Sequence, residues 1–138
     1  MQAIHRQSWF WVVLLVGAFY AVVGITFALP ASHAQAWRLA AWIVSGVAYA
    51  IHVGYERCWR RNSSLSSALH VALAAALGAL GLAIGAIVHS LSVTTTSQHK
   101  WLLLIALVAW PVITGVPAFL VGLVASGLLG RLSRRGGA

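Results

Sequence analysis

Apolar residues run along this chain in four long stretches, and charges rather than periodic polar positions divide them. Residues 9–29, 66–91 and 101–130 carry no charge, and residues 39–55 lie between Arg38 and Glu56. A helix needs about 20 apolar residues to cross the roughly 30 Å hydrocarbon core of a bilayer. Each stretch meets or approaches that length, and none alternates with the period of two that a transmembrane β-barrel requires. The pattern predicts an all-α integral membrane protein, a four-helix transmembrane bundle with helices at about 8–29, 37–56, 65–91 and 101–130. Residues 1–138 then form a single transmembrane domain with short turns between the helices. Pro30 fits a helix stop, and Ser63, Ser64, Ser66 and Ser67 offer N-caps for the third helix. Residues 94–97 read as a polar outer loop. Pro111 and Pro117 predict a kink or tilt in the fourth helix, because each removes a backbone hydrogen bond.

Composition sharpens this picture. The residues are 61% hydrophobic and 7% charged, against about 25% charged in a soluble domain. Ten charges cannot cover the surface of a soluble fold of this size, and disorder requires low hydrophobicity, so both classes are excluded. Cys58 stands alone, which excludes a disulfide framework and suits an interfacial or acylated juxtamembrane thiol.

The charges also orient the chain. Arg6, Arg57, Arg60, Arg61, Arg131, Arg134 and Arg135 fall on one side, and Arg38 and Lys100 on the other. Seven against two places the N and C termini in the cytoplasm. Arg57, Arg60, Arg61, Arg131, Arg134 and Arg135 are then topology determinants that touch anionic lipid. The net charge of +8 follows from this rule, and no nucleic acid is expected as a partner. Trp9, Trp11, Trp37, Trp59 and Trp101 sit at span ends, where indole rings favour the headgroup layer. A competing reading takes the first span as a signal peptide, cleaved after Ala34, Gln35 and Ala36. Against it, an apolar run of about 21 residues is longer than a signal core of about 7 to 15.

Two helices carry organised faces. Arg38, Ser45, Tyr49, His52 and Glu56 fall within about 60° of arc on the second helix. Such a stripe should turn away from lipid. On the third helix His70, Ala74, Gly78, Gly81, Gly85 and His89 share one face, and Gly81 and Gly85 form a GxxxG pair. Small residues allow close helix packing within a bilayer. The two stripes are expected to face each other. His52 and His70 lie nine residues either side of Arg61, so the expectation brings His52, Glu56 and His70 together, with Tyr49 and Ser45 further along the same stripe.

Chemistry is constrained by what is missing. One acidic residue cannot form a carboxylate pair, and a chain without aspartate cannot form a Ser-His-Asp triad. No enzyme activity, cofactor or metal is assigned. Size and span count resemble those of small multidrug exporters and fluoride channels, but the first span has no central glutamate and no Asn-bearing glycine motif occurs. The leading expectation is a non-enzymatic inner-membrane protein of bacterial type, acting as a homo-oligomer or with other membrane subunits among lipids. The alternatives are a proton-coupled transporter or channel using Glu56 and His52, and a haem- or metal-binding redox subunit using His52 and His70.

Overall fold

The computed structural model describes residues 2–28, 33–91 and 97–135, with side chains described for 9–27, 33–89 and 101–132. These residues form four helices: α1 (Gln2–Ala28), α2 (Ala34–Gly54), α3 (Ser64–Leu91) and α4 (Ser97–Arg135). One π-helical turn, Tyr55–Trp59, continues α2. All four helices are long and apolar enough to span a membrane. The segment Trp9–Phe27 covers 19 residues, about 28 Å at the α-helical rise of 1.5 Å per residue. The helices extend beyond the ranges read from the sequence, because backbone hydrogen bonding does not stop where the first charge appears. In particular, α2 begins at Ala34, so Ala34, Gln35 and Ala36 form a helical first turn. Pro30, residues 94–96 of the expected outer loop and the tail from 136 lie outside the described residues, while Ser97, expected in that loop, begins α4.

The third helix organises the bundle because it has two close-packing faces. Toward α1, Gly17 receives Leu77 and Gly24 receives Leu82, while Gly78, Gly81 and Gly85 receive Tyr20, Ala21 and Ile25. A Cβ at Gly81 would stand 2.7 Å from Ala21 Cβ, and one at Gly24 would stand 2.5 Å from the Leu82 side chain. Neither position can accept even alanine without a shift. Toward α4, Gly115 meets Ala76 and Gly122 meets Ala68. Ala68, Ala72 and Ala76 repeat every four residues, so they present one flat edge. With lipid as apolar as leucine, this close contact supplies the packing energy that water would supply in a soluble core.

The contacts fix the directions of the helices. Numbers rise together along α1 and α3 (Trp9 with His70, Ile25 with Gly85) and oppose each other along α3 and α4. The chain therefore runs alternately up and down. In contrast to α3, α2 is peripheral and exposes Trp42, Ile43, Val47 and Ile51. The stripes on α2 and α3 consequently do not face each other along their length, as the sequence pattern had led us to expect. Ala74, Gly78, Gly81 and Gly85 pack toward α1, whose Gly17 and Gly24 offer a better match than the bulkier polar edge of α2. The fourth helix runs unbroken through Pro111 and Pro117, so neither proline ends it.

Candidate functional site

The end of the bundle that carries Arg57, Arg60, Arg61 and Arg131 contains its densest polar chemistry. The site begins with a backbone irregularity. Arg60 N–H donates to Tyr55 O at 3.1 Å, one residue further back than in an α-helix. Asn62 N–H then donates to Glu56 O at 3.2 Å, and Arg61 adopts a left-handed conformation with φ of 51°. The bond reaches one residue further back than the closing bond of a Schellman motif, in keeping with the π turn before it, and arginine holds the left-handed position that glycine usually takes at a helix end. After it, Ser63 caps α3 by accepting Ser66 N–H on Oγ at 3.2 Å. The other serines expected as caps, Ser64, Ser66 and Ser67, lie within α3, and Ser67 is wholly buried.

This sharp reversal turns Glu56 into the bundle, where the only carboxylate side chain of the protein is 0% exposed. Glu56 Oε2 accepts from Asn62 Nδ2 at 2.5 Å and stands 2.9 Å from His70 Nδ1. Arg60 Nη1 lies 3.6 Å from Glu56 Oε1. The His70 ring stacks on Trp9, with centroids 4.9 Å apart and planes within 6°. The cluster thus joins α1, the π turn, the connecting loop and α3. An isolated buried charge would be very costly, and pairing with directed hydrogen bonds is what makes this one tolerable.

Arg57 makes a second tie. Its Nε donates to Ser126 O at 3.2 Å and its Nη1 to Asn62 O at 2.6 Å, while the guanidinium packs on Gly130. One planar fork therefore joins α4 to the loop. Further along α2, the Tyr49 hydroxyl donates to Ala118 O and rests against Gly122. Ser45 is half-buried, and Arg38 and His89 are exposed.

Several expectations need correction. Glu56 and His70 do meet, but His52 makes no hydrogen bond to either; it is buried beside them with both ring nitrogens unpartnered among the described residues. The α2 stripe curves toward α4 at Tyr49 rather than toward α3, because the glycine seam has already committed that face of α3 to α1. Arg57 and Arg60 face inward and are not free lipid ligands, whereas Arg61 and Arg131 are exposed. The side chains of Arg6, Lys100, Arg134 and Arg135 lie outside the described residues. Trp9, expected in the headgroup layer, is half-buried against His70, while Trp11, Trp37, Trp59 and Trp101 are exposed at span ends. Cys58 is exposed.

Asn62 and Trp9 are the contributors that the sequence reading missed. Asn62 carried a signal, as the one amide in a loop six residues after the lone acid. Trp9 carried an ambiguous one, since span-end position alone does not say which way a ring points. Among the described residues, no three His, Cys, Asp or Glu side chains come together as a metal-binding group. His70 has Nδ1 engaged by Glu56 and one ring face covered by Trp9, an arrangement suited to holding the ring still. Compared with known protein families, curated proteins and solved structures, the chain matches none.

Proposed function

We propose that this is a non-enzymatic, multi-pass protein of the bacterial inner membrane that works as an oligomer or as an accessory subunit of a membrane complex. One observation carries the reading: Glu56 is completely enclosed, and its partners Asn62, His70 and Arg60 all belong to the same chain. Glu56 Oε2 is engaged by Asn62 and His70, while Oε1 has no hydrogen bond among the described residues and faces Arg60 at 3.6 Å; a carboxylate tied in this way holds helices in place. With both termini in the cytoplasm, as the seven-to-two division of Lys and Arg supports, this latch lies at the cytoplasmic boundary. It lies away from the bilayer midplane, where transporter sites are usually built. Arg61 and Arg131 then face anionic headgroups.

The partner is met inside the bilayer, on the outward side of α2. Gly46 and Gly54 have nothing within 4 Å of where a Cβ would stand, and Ala50 between them is exposed. These three residues recur every four positions and leave a notch that admits another helix closely. Two variants test the reading. Glu56→Gln is expected to lower abundance and assembly together. Loss of an ion flux with assembly intact would overturn the structural role of the carboxylate. Gly46→Leu is expected to leave the monomer fold intact and to release the partner.

A second reading, proton-coupled transport through Glu56 and His52, is favoured by one observation only. His52 is 4% exposed, yet no side chain or backbone group among the described residues satisfies its ring. Proton flux into liposomes holding the wild-type protein, abolished in His52→Phe, would support it.

A further inference from the structure

The Glu56 latch leaves a second set of buried polar groups without an explanation. His52 Nδ1 and Nε2, Ser67 Oγ and Ser126 Oγ are all buried, and none has a hydrogen-bond partner among the described residues. Ser67 and Ser126 are each 0% exposed. Polar groups buried in an apolar interior are nearly always paired with protein or with ordered water. A neutral imidazole has one donor and one acceptor, so each ring nitrogen requires a partner of its own.

Register places these groups together. Tyr49 reaches Ala118 and Gly122 on α4, and Arg57 reaches Ser126. His52 lies between Tyr49 and Arg57, so it is level with the α4 turn from Gly122 to Ser126. A Cβ at Gly122 would stand 3.3 Å from Ala68 Cα, which brings the neighbouring Ser67 to the same level. Three helices thus deliver unpaired polar atoms to one depth. His52 is also within electrostatic reach of Glu56 and His70. Arg57 and Arg60, the other charges nearby, are committed to backbone carbonyls and to Glu56. Tyr20 on α1, whose hydroxyl is likewise buried and unpartnered, is set against Gly78, three turns further along α3 than Ser67, and is not part of this level.

We propose that His52, Ser67 and Ser126 line a hydrated recess beside the Glu56–His70 pair, where ordered water satisfies both imidazole nitrogens. Buried water takes up sites that offer two to four polar partners, and this level of the bundle offers them. Water there also gives the His52 ring nitrogens a partner with which to exchange a proton. The proposal holds for a subunit and a transporter alike, and its test is independent of assembly.

Water-edited solid-state NMR of the isotope-labelled full chain, in liposomes of phosphatidylethanolamine and phosphatidylglycerol, reads this directly. The His52 ring is assigned through its backbone links to Ile51 and Val53, so no variant is needed. Transfer from water to the His52 ring is expected within about two-fold of that to exposed His33, and several-fold faster than to the buried Val71 methyls. A His52 ring as slow as Val71 would overturn the recess. In the double variant S67A and S126A, which removes two water partners, transfer to His52 is expected to fall several-fold. Unchanged transfer there would remove the serines from the site and the recess as drawn with them.

Discussion

Glu56 Oε2 and His70 Nδ1 lie 2.9 Å apart, although fourteen residues and a complete reversal of the chain separate them. The pair is the point where the α2–α3 hairpin closes, and Asn62 from the middle of that hairpin binds the same oxygen. Removing one member of a buried pair costs about 3–5 kcal/mol, and Glu56 is the group on which Asn62, His70 and Arg60 converge. Glu56→Ala is therefore expected to lower thermal stability in detergent by about that amount. Glu56→Gln, which keeps a hydrogen-bonding head, should lose about half as much. Equal stability of Glu56→Ala and wild type would contradict the latch.

The Arg57 tie depends on shape as well as charge. Two donors of one planar head reach Ser126 O and Asn62 O at once. A lysine ammonium cannot reproduce that fork. Arg57→Lys is expected to destabilise by about 1–2 kcal/mol, whereas Arg131→Lys, at an exposed position, is expected to leave the melting temperature unchanged. Identical shifts for the two variants would count against the tie.

The loop stores a small strain. Arg61 is exposed and holds a φ of 51°, a region that costs a side-chain-bearing residue about 1 kcal/mol or more. Glycine adopts it freely. Arg61→Gly should raise the unfolding midpoint modestly, and a lowered midpoint would show that the arginine contributes more than the strain removes.

Glycines in this bundle divide by what stands opposite them. At Gly78 a Cβ would collide with Tyr20 Cβ, which cannot swing away as a long side chain would. Alanine is a better helix former by about 1 kcal/mol, yet Gly78→Ala is expected to destabilise by about 1–3 kcal/mol through overpacking. Gly127 has nothing within 4 Å of a Cβ, and Gly127→Ala should be neutral or stabilising. Chemical unfolding of the two variants side by side checks the sign of each.

The number and positions of the four spans were legible because each is an uncharged run of sufficient length, and lipid imposes that requirement directly. The meeting of Glu56 and His70 was legible only in part: equal distances from Arg61 matched His52 with His70, and Glu56 entered the expected cluster as the residue one turn from His52 on the same face, yet it is Glu56 that His70 engages. The partner of the α3 small face was not. Its polar endpoints suggested α2, but Gly17 and Gly24, seven residues apart on α1, marked the true counterpart. Steric fit between backbones decides packing in a bilayer, and a polar stripe does not outrank it. The π turn was also invisible, because an amphipathic pattern read at the α-helical period does not register one extra residue in a turn, as at Tyr55 to Trp59. His52 illustrates a different limit: the sequence put it on the inward stripe of α2, where it is buried, but could not show that its ring lacks a partner among the described residues.

The central claim is that this protein acts in association within the membrane, with the outward notch of α2 as the contact. Native mass spectrometry of the protein, gently extracted from its own membrane, tests this most directly when wild type and Gly46→Leu are compared. The expected result is a defined complex for wild type, either of identical chains or with another membrane protein, and a folded monomer for Gly46→Leu. A wild-type spectrum showing only monomer, or an identical complex in both samples, would contradict the account.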